Sequence, residues 1–358
     1  MSATAGTSTE EILFERRGVA GIVTLNRPHA LNAVTHTMVR RLASKLAEWA
    51  SDAAITRIIV RAAGERAFSA GGDIRALYDL GRGRKYAEAL KFWREEYVLN
   101  NVIKHYPKPY ISLIEGIVMG GGVGMSVHGS HRIAGDRYQF AMPEVGIGFF
   151  PDVGATHFLP RMPGELGAYC ALTGERLKAS DAIAAGLATH YVPSVRWREL
   201  LEELTSATPV DAVLYRFAQP LAAGVMSGRL DAIDDLFVGE TVEEIVDGLN
   251  REAIAHNQDS GFAGATAALM RAKSPTSLKI ALRQVRLGKQ MSFAECMRTE
   301  FRIVSRIVRG HDFYEGVRAA IIDKDQAPVW HPATLKAVSD ELIDAHFAPL
   351  PEGELELP

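Results

Sequence analysis

The chain has 358 residues, of which 47% are hydrophobic, so it is long enough to bury one large core or two smaller ones. Its 40 Lys and Arg residues nearly balance 43 Asp and Glu residues, and a net charge of -3 without blocks of like charge argues against nucleic acid or an anionic membrane as a partner. No apolar run reaches the roughly 18 residues that span a bilayer, and the two isolated cysteines, Cys170 and Cys296, lack metal-ligand spacing and favour a reducing compartment.

The start of the chain lacks the features of a targeting segment. Ser2 to Glu11 has neither the basic head nor the apolar core of a secretion signal. It contains no arginine before Arg16 and carries two acidic residues, which argues against a mitochondrial presequence. We therefore expect a cytoplasmic protein.

The first 60 residues predict a strand pair, a helix and a further strand. Residues 12–16 and 19–25 are largely apolar on either side of Arg17-Gly18, which is typical of a hairpin. After Thr35, apolar residues recur at three- and four-residue spacing as far as Trp49, which predicts a helix. The β-branched residues in 57–60 indicate the next strand.

A unit of strand, glycine turn and helix then occurs twice. The first glycine turn is Ser69-Ala70-Gly71-Gly72-Asp73, and a helix follows over about 84–104. A strand over 110–114 leads to the second turn, Met119-Gly120-Gly121-Gly122-Val123-Gly124, with a helix over about 121–128. The repetition favours an α/β fold in which helices cover a parallel sheet and functional groups gather where strands end.

The second half of the chain is mostly helical in period. Helices are expected over 165–172, 179–185, 197–205, much of 211–270, 279–287 and 293–308. Ser274 followed by Pro275 is typical of a helix start. We divide the chain into a catalytic core over residues 1–200 and a helical region over residues 201–358, which we expect to cover the active site and to contribute to oligomerisation.

Two carboxylates close behind the glycine turns carry the expected chemistry. Glu144 and Asp152 stand eight positions apart, and such a pair supplies a base or nucleophile together with a proton donor. Gly72 and Gly121, each between a strand and a helix, would present amide hydrogens to one negatively charged oxygen. Asp73 is expected to cap a helix. The pattern predicts an enzyme that acts on an acyl group.

Three stretches resemble the crotonase, or enoyl-CoA hydratase and isomerase, superfamily. They are residues 25–33 (LNRPHALNA), 68–74 (FSAGGDI) and 119–122 (MGGG). The resemblance implies a core built as a spiral of repeated ββα units, and an oxyanion hole for a thioester carbonyl formed by the amides of Gly72 and Gly121. It also implies a coenzyme A site lined by the backbones of four residues: His29, Ala30, Leu31 and Ala70.

Two positions depart from the pattern of a hydratase in that superfamily. A hydratase usually has a second glutamate where this chain has Gly124, and a small residue where it has Asp152. From about residue 12 to 348 the chain is similar to the branch that hydrolyses 3-hydroxyisobutyryl-CoA in valine breakdown. That similarity implies hydrolysis of a short branched 3-hydroxyacyl-CoA thioester. Glu144 would be the nucleophile or general base, Asp152 would handle water or a proton, and Glu96 would bind substrate.

The sequence is compatible with two functions other than hydrolysis. An enoyl-CoA hydratase or isomerase that uses Glu144 is the first, although Gly124 counts against hydration. A non-catalytic member that binds acyl-CoA or RNA is the second, and the balanced charge and the intact site positions count against it. Coenzyme A belongs to the substrate, so no cofactor or metal is expected. The resemblance allows a homotrimer or a dimer of trimers, and no pattern in the sequence selects one.

Overall fold

The computed structural model describes residues 10–255 and 261–358. Its strands within these residues are β1 (Ile12–Arg17), β2 (Ala20–Leu25), β3 (Arg57–Ala62), β4 (Ala67–Ser69), β5 (Tyr110–Ile114), β6 (Ile117–Met119), β7 (His131–Ala134), β8 (Gln139–Ala141), β9 (Leu177–Lys178) and β10 (His190–Tyr191). They form two sheets. The larger has the order β1-β2-β3-β5-β7-β10, and the smaller has the order β4-β6-β8-β9.

The α-helices occupy most of the remaining chain. They are α1 (His36–Ser51), α2 (Ile74–Arg82), α3 (Tyr86–Lys104), α4 (Gly121–Gly124), α5 (Ala155–Phe158), α6 (Leu166–Thr173), α7 (Ala179–Ala184), α8 (Trp197–Leu204), α9 (Val210–Phe217), α10 (Leu230–Phe237), α11 (Val242–Ala255), α12 (Phe262–Arg271), α13 (Pro275–Gly288), α14 (Phe293–Ile307), α15 (Asp312–Val317) and α16 (Asp340–Phe347). Short 3-10 helices include Pro28–Ala30 and Glu144–Ile147, and a π-helix spans Arg318–Ile322.

The large sheet confirms the expected α/β architecture. β1 and β2 form the antiparallel hairpin, and β2, β3, β5, β7 and β10 are parallel to one another. Successive side chains of a strand point to opposite faces, so Ile59 joins a core under α8 and α9 whereas Ile58 and Val60 join the main core. Helices therefore cover both faces of the sheet.

The small sheet positions the candidate site. β4, β6 and β8 are parallel neighbours of three residues each, so their carboxyl ends lie side by side. Gly71-Gly72 follows β4, Gly120-Gly121 follows β6 and Glu144 follows β8 shortly after Ala141. Three segments that are distant in the chain are thereby brought to one edge.

Hydrogen-bonded caps confirm three of the expected helix starts. The Thr35 hydroxyl accepts from Met38 N at 3.2 Å, and the Ser274 hydroxyl accepts from Ser277 N at 3.1 Å. Asp73 caps α2, as expected, although α2 itself is not predicted from the periodicity. The carboxylate of Asp73 also pairs with Arg27 at 3.1 Å, which ties α2 to the loop after β2.

Some boundaries differ from the sequence-based expectations. The helix expected over 121–128 ends at Gly124, because glycines occupy most of its first turn and favour other conformations over a continued helix. The helical prediction for 211–270 is confirmed as α9 to α12, except that residues 256–260 lie outside the described residues. The main core includes side chains from Ile12 to Leu355, and the division at residue 200 stays a prediction.

Candidate active site

A cavity of about 440 Å³ opens at the carboxyl ends of β4, β6 and β8. Eight of the nine predicted site residues line it: Ala30, Leu31, Ala70, Gly72, Glu96, Gly121, Glu144 and Asp152. His29 is the exception, since it lies on the exposed 3-10 helix Pro28–Ala30 and does not contribute to the cavity wall.

The two glycine turns converge on one point of this cavity. Gly71 has φ of +116° and Gly120 has φ of +44°, both in the region that glycine adopts without strain. A Cβ atom built on Gly121 would lie 3.3 Å from Gly72 N, so the two backbones are in contact. Among the described residues, neither the Gly72 amide nor the Gly121 amide donates a hydrogen bond. Two free donors at one point can stabilise an oxyanion.

Glu144 lies beside these turns and is almost entirely buried. It begins the 3-10 helix Glu144–Ile147, and a Cβ atom built on Gly120 would lie only 3.1 Å from its Oε1 atom. Its Oε2 atom has no hydrogen-bond partner within the described part of the chain. Burial, followed by the nearby charge of Asp152, holds the pKa of Glu144 well above its ordinary value.

Asp152 is the second buried carboxylate of the cavity. The hydroxyl of Tyr97, on α3, donates to its Oδ2 atom at 2.9 Å. Burial raises the pKa of Asp152 to about 7, although the Tyr97 hydrogen bond favours the ionised form. Because the charge of Asp152 raises the pKa of Glu144, ionisation of one carboxyl group disfavours ionisation of the other. One can then act as a base while the other keeps a proton.

Glu96 adds a third carboxyl group to the cavity wall. It lies on the buried face of α3, four residues before Asn100, and its Oε1 atom has no hydrogen-bond partner in residues 10–255 and 261–358. Burial and the charges of Asp152 and Glu300 hold the pKa of Glu96 well above its ordinary value. A protonated carboxyl group can donate to, and accept from, a hydroxyl group of a ligand.

The position of the second acid of a hydratase is closed. A Cβ atom on Gly124 would lie 2.7 Å from Val153 Cβ and 2.8 Å from Asn100 Nδ2. These separations are shorter than ordinary van der Waals contact, so no carboxylate side chain fits at residue 124 without moving its neighbours. The packing of α4 against α3 and the Asp152 turn therefore requires glycine at position 124, where a hydratase usually has glutamate.

Aromatic and aliphatic side chains form one wall of the cavity. Trp93 stacks on Phe149, with ring centroids 5.7 Å apart and an interplanar angle of 21°. Phe92, Ile147 and Ile321 complete this apolar wall. Helical spacing places Trp93 on the same face of α3 as Glu96. Nothing in the sequence predicts that Phe149, or Ile321 of the π-helix, lines the same cavity.

The described residues contain neither a metal-binding cluster nor a membrane-spanning helix. No group of three His, Cys, Asp or Glu side chains within 10–255 and 261–358 is arranged to hold a metal ion. Over the same residues, the helices are too short or too polar to traverse a bilayer. The expectation that no cofactor or metal is needed stays a prediction. Both cysteines are free and buried.

Comparison with known proteins identifies the family. The sequence pattern of the enoyl-CoA hydratase/isomerase family matches residues 20–347. The chain belongs to the enoyl-CoA hydratase/isomerase family. Membership of this family implies an acyl-CoA substrate, and it confirms the resemblance seen in the three sequence stretches.

Two relatives and one solved structure match this chain over nearly its whole length. The zebrafish "3-hydroxyisobutyryl-CoA hydrolase, mitochondrial" is 46% identical over 367 residues, covering 100% of this chain and 94% of the relative. The rat protein of the same name is 45% identical and covers 98% and 92%. The crystal structure of a carnitinyl-CoA dehydratase from Mycobacterium thermoresistibile superposes with a TM-score of 0.91 at 42% identity over 97% of this chain and 99% of that one.

The names of these relatives correct one expectation. The zebrafish and rat proteins are both named mitochondrial, whereas the sequence predicts a cytoplasmic protein. The cytoplasmic prediction is therefore wrong. It depended on the composition of Ser2 to Glu11, most of which lies outside the described residues, and a count of charges in so short a segment does not determine a compartment.

Proposed function

We propose that this chain hydrolyses the thioester bond of 3-hydroxyisobutyryl-CoA, a short branched 3-hydroxyacyl-CoA of valine breakdown, to 3-hydroxyisobutyrate and coenzyme A. The observation that carries the proposal is the pair of buried carboxylates, Glu144 and Asp152, in one cavity with two unused amides. Relatives that are 45–46% identical over nearly the whole chain and are named for this reaction support the choice of substrate.

The oxyanion hole is the first element of the proposed mechanism. The thioester carbonyl oxygen would accept hydrogen bonds from Gly72 N and Gly121 N, which are free in the structure. As the carbonyl carbon becomes tetrahedral, its oxygen gains negative charge and both bonds strengthen. Losing one such donor raises the reaction barrier by about 3 kcal/mol in other enzymes.

Glu144 would then supply the attack. As a nucleophile it would form a mixed anhydride and release coenzyme A, after which water would cleave the anhydride. As a general base it would instead take a proton from a water molecule that attacks the thioester carbon directly. Both routes need Glu144 ionised at the moment of attack, and both end with the same two products.

Asp152 would first donate a proton to the leaving group and would then orient the hydrolytic water. In the form of the pair in which Glu144 is ionised and Asp152 holds the proton, Asp152 would protonate the departing thiolate. It then becomes an acceptor that orients the hydrolytic water, with Tyr97 holding its Oδ2 atom in place. Glu96 would bind the 3-hydroxyl group of the substrate, and the apolar wall would hold the branched carbon.

The proposal also assigns residues to the binding of coenzyme A. Ala30, Leu31 and Ala70 lie at the cavity wall, where their backbones would hold the pantetheine arm that leads to the thioester. His29, exposed on its 3-10 helix, would contact the part of coenzyme A that extends outside. No cofactor would be needed. A homotrimer or a dimer of trimers, in which the helical region over residues 201–358 takes part, stays a prediction.

An enoyl-CoA hydratase or isomerase is the second candidate, because the name of the family and that of the related dehydratase refer to such reactions. The closed position at Gly124 removes the second acid of a hydratase, but Glu144 alone is sufficient for an isomerase.

Two assays on the same enzyme separate the candidates. Release of free thiol from 3-hydroxyisobutyryl-CoA reports hydrolysis, and loss of ultraviolet absorbance from crotonyl-CoA reports hydration. We expect thiol release with little or no hydration. Rapid hydration without thiol release would refute the hydrolase.

A further inference from the structure

The turn that carries Asp152 has an unfavourable backbone conformation. Val153 has φ of +52°, in the left-handed region, where a β-branched side chain is sterically disfavoured. Gly154 follows with φ of +91° and packs so closely that a Cβ atom there would lie 2.5 Å from His128 Cε1. Contacts from outside the turn must therefore hold it in place.

Glu300 provides the most extensive of these contacts. It lies on α14, is completely buried, and uses both carboxylate oxygens on the turn. Gly154 N donates to Oε2 at 2.8 Å, and Thr156 N donates to Oε1 at 2.9 Å. A carboxylate has two strong acceptors for these two amides, whereas a carboxamide has only one.

Two further buried side chains hold the same turn. Gln284, on α13, donates from Nε2 to Pro151 O at 2.5 Å. His128 donates from Nε2 to Val153 O at 2.7 Å, and burial lowers the pKa of His128 to about 3, so the ring is neutral in solution near pH 7. The residues on either side of Asp152 are thus fixed from three separate parts of the chain.

We propose that Glu300 is a positioning residue for the hydrolysis, which holds the left-handed turn at Val153 and so directs the Asp152 carboxylate into the cavity. Glu300 itself does not line the cavity and has no contact with the place where substrate would bind. It acts through the amides of Gly154 and Thr156. Its kinetic test rests on the proposed hydrolase function.

Several titratable groups face Glu300. Asp152 faces it from the turn, Glu96 and Tyr97 face it from α3, and Cys296 lies one turn earlier on α14. Burial and the charge of Asp152 raise the pKa of Glu300 to about 8, while its hydrogen bonds with the two amides oppose that rise.

The test compares Glu300→Gln with Ser305→Ala in the full chain. Ser305 is a matched control, because it is also buried on α14 and, within the described residues, its hydroxyl bonds only to Phe301 O, away from the turn. Thiol release from 3-hydroxyisobutyryl-CoA gives kcat and KM, and hydrogen exchange gives the protection of residues 151–158. We expect Glu300→Gln to lower kcat by about 10- to 100-fold with KM unchanged.

Hydrogen exchange separates this inference from the proposed function. In Glu300→Gln we expect faster exchange at Gly154 and Thr156, a result that needs no activity, whereas Ser305→Ala should keep the wild-type exchange. An inactive wild type would refute the hydrolase alone. A folded Glu300→Gln variant with wild-type kcat and exchange would refute the positioning role, as would the same kinetic loss in Ser305→Ala.

A second variant decides the matter if Glu300→Gln does not fold. Gln284→Met removes the bond to Pro151 O from a different helix and conserves the shape of the side chain. We expect the same pattern, a lower kcat with KM unchanged. A folded Gln284→Met variant with wild-type kcat would overturn the proposal that this framework positions Asp152.

Discussion

Replacing Asp152 by asparagine should stabilise the fold at neutral and alkaline pH while it abolishes hydrolysis. Burial raises the pKa of this carboxyl group from 3.8 to about 7. Between these two pH values the unfolded chain has released the proton and the folded chain has kept it. The free energy of unfolding therefore falls as pH rises through this window.

The size of the effect follows from the same shift. One pKa unit corresponds to about 1.4 kcal/mol, so ionised Asp152 destabilises the folded chain by on the order of 4 kcal/mol at and above pH 7. About 3 kcal/mol of this loss falls between pH 5 and pH 8. Asparagine does not ionise, and the Tyr97 hydroxyl can still donate to its side-chain oxygen. Loss of the Asp152 charge also removes its repulsion of the Glu96 and Glu300 carboxylates, which further stabilises the folded variant.

Thermal unfolding of the wild type and of Asp152→Asn at pH 5 and pH 8 measures this directly. We expect the Tm advantage of Asp152→Asn to grow by roughly 6 °C between the two pH values, taking about 2 °C per kcal/mol for a chain of this size. Asp79→Asn is the matched control, because Asp79 is exposed on α2, and it should show no such growth. An advantage that is the same at both pH values, or a variant less stable than the wild type at pH 8, would refute the reasoning.

Three further predictions follow from the site. The kcat/KM of the wild type should rise with pH through about 7, because the carboxyl pair must lose its first proton before either member can act as a base, and a flat profile from pH 5 to 8 would contradict this. Gly124→Ala should lower the free energy of unfolding by about 1–3 kcal/mol through overpacking, measured against Gly228→Ala, where an added Cβ meets nothing within 4 Å. Glu96→Ala should raise KM for 3-hydroxyisobutyryl-CoA by about tenfold but leave KM for isobutyryl-CoA, which lacks the hydroxyl group, unchanged; equal effects on both substrates would exclude the hydroxyl contact.

The sequence predicts those parts of the fold that local patterns determine. The hairpin, α1, α3 and the start of α13 follow from apolar periodicity and from caps such as Thr35 and Ser274. The glycine turns are equally visible, since positive φ angles at Gly71 and Gly120 require glycine. The candidate residues Glu144 and Asp152 lie near enough to these turns, in sequence and in space, for the pair to be inferred.

The remaining features depend on contacts between distant residues. Strands β4, β6 and β8 have three residues each, too few for alternation to be recognised, so the small sheet that gathers the site is not predictable from periodicity. The contact of Glu300 with Gly154 joins residues 146 positions apart. A glutamate on an amphipathic helix is normally solvated, and only the packing of α14 against the turn shows otherwise. The cytoplasmic expectation failed because composition alone did not contain the information.

The most direct test of the account is thiol release from 3-hydroxyisobutyryl-CoA by the wild type, Glu144→Gln and Asp152→Asn. We expect the wild type to release one thiol for each 3-hydroxyisobutyrate formed, and each variant to lose about 100-fold or more in kcat while it remains folded. A wild type that releases no thiol but interconverts enoyl-CoA isomers through Glu144, or variants that keep wild-type hydrolysis, would contradict the two-carboxylate thioesterase.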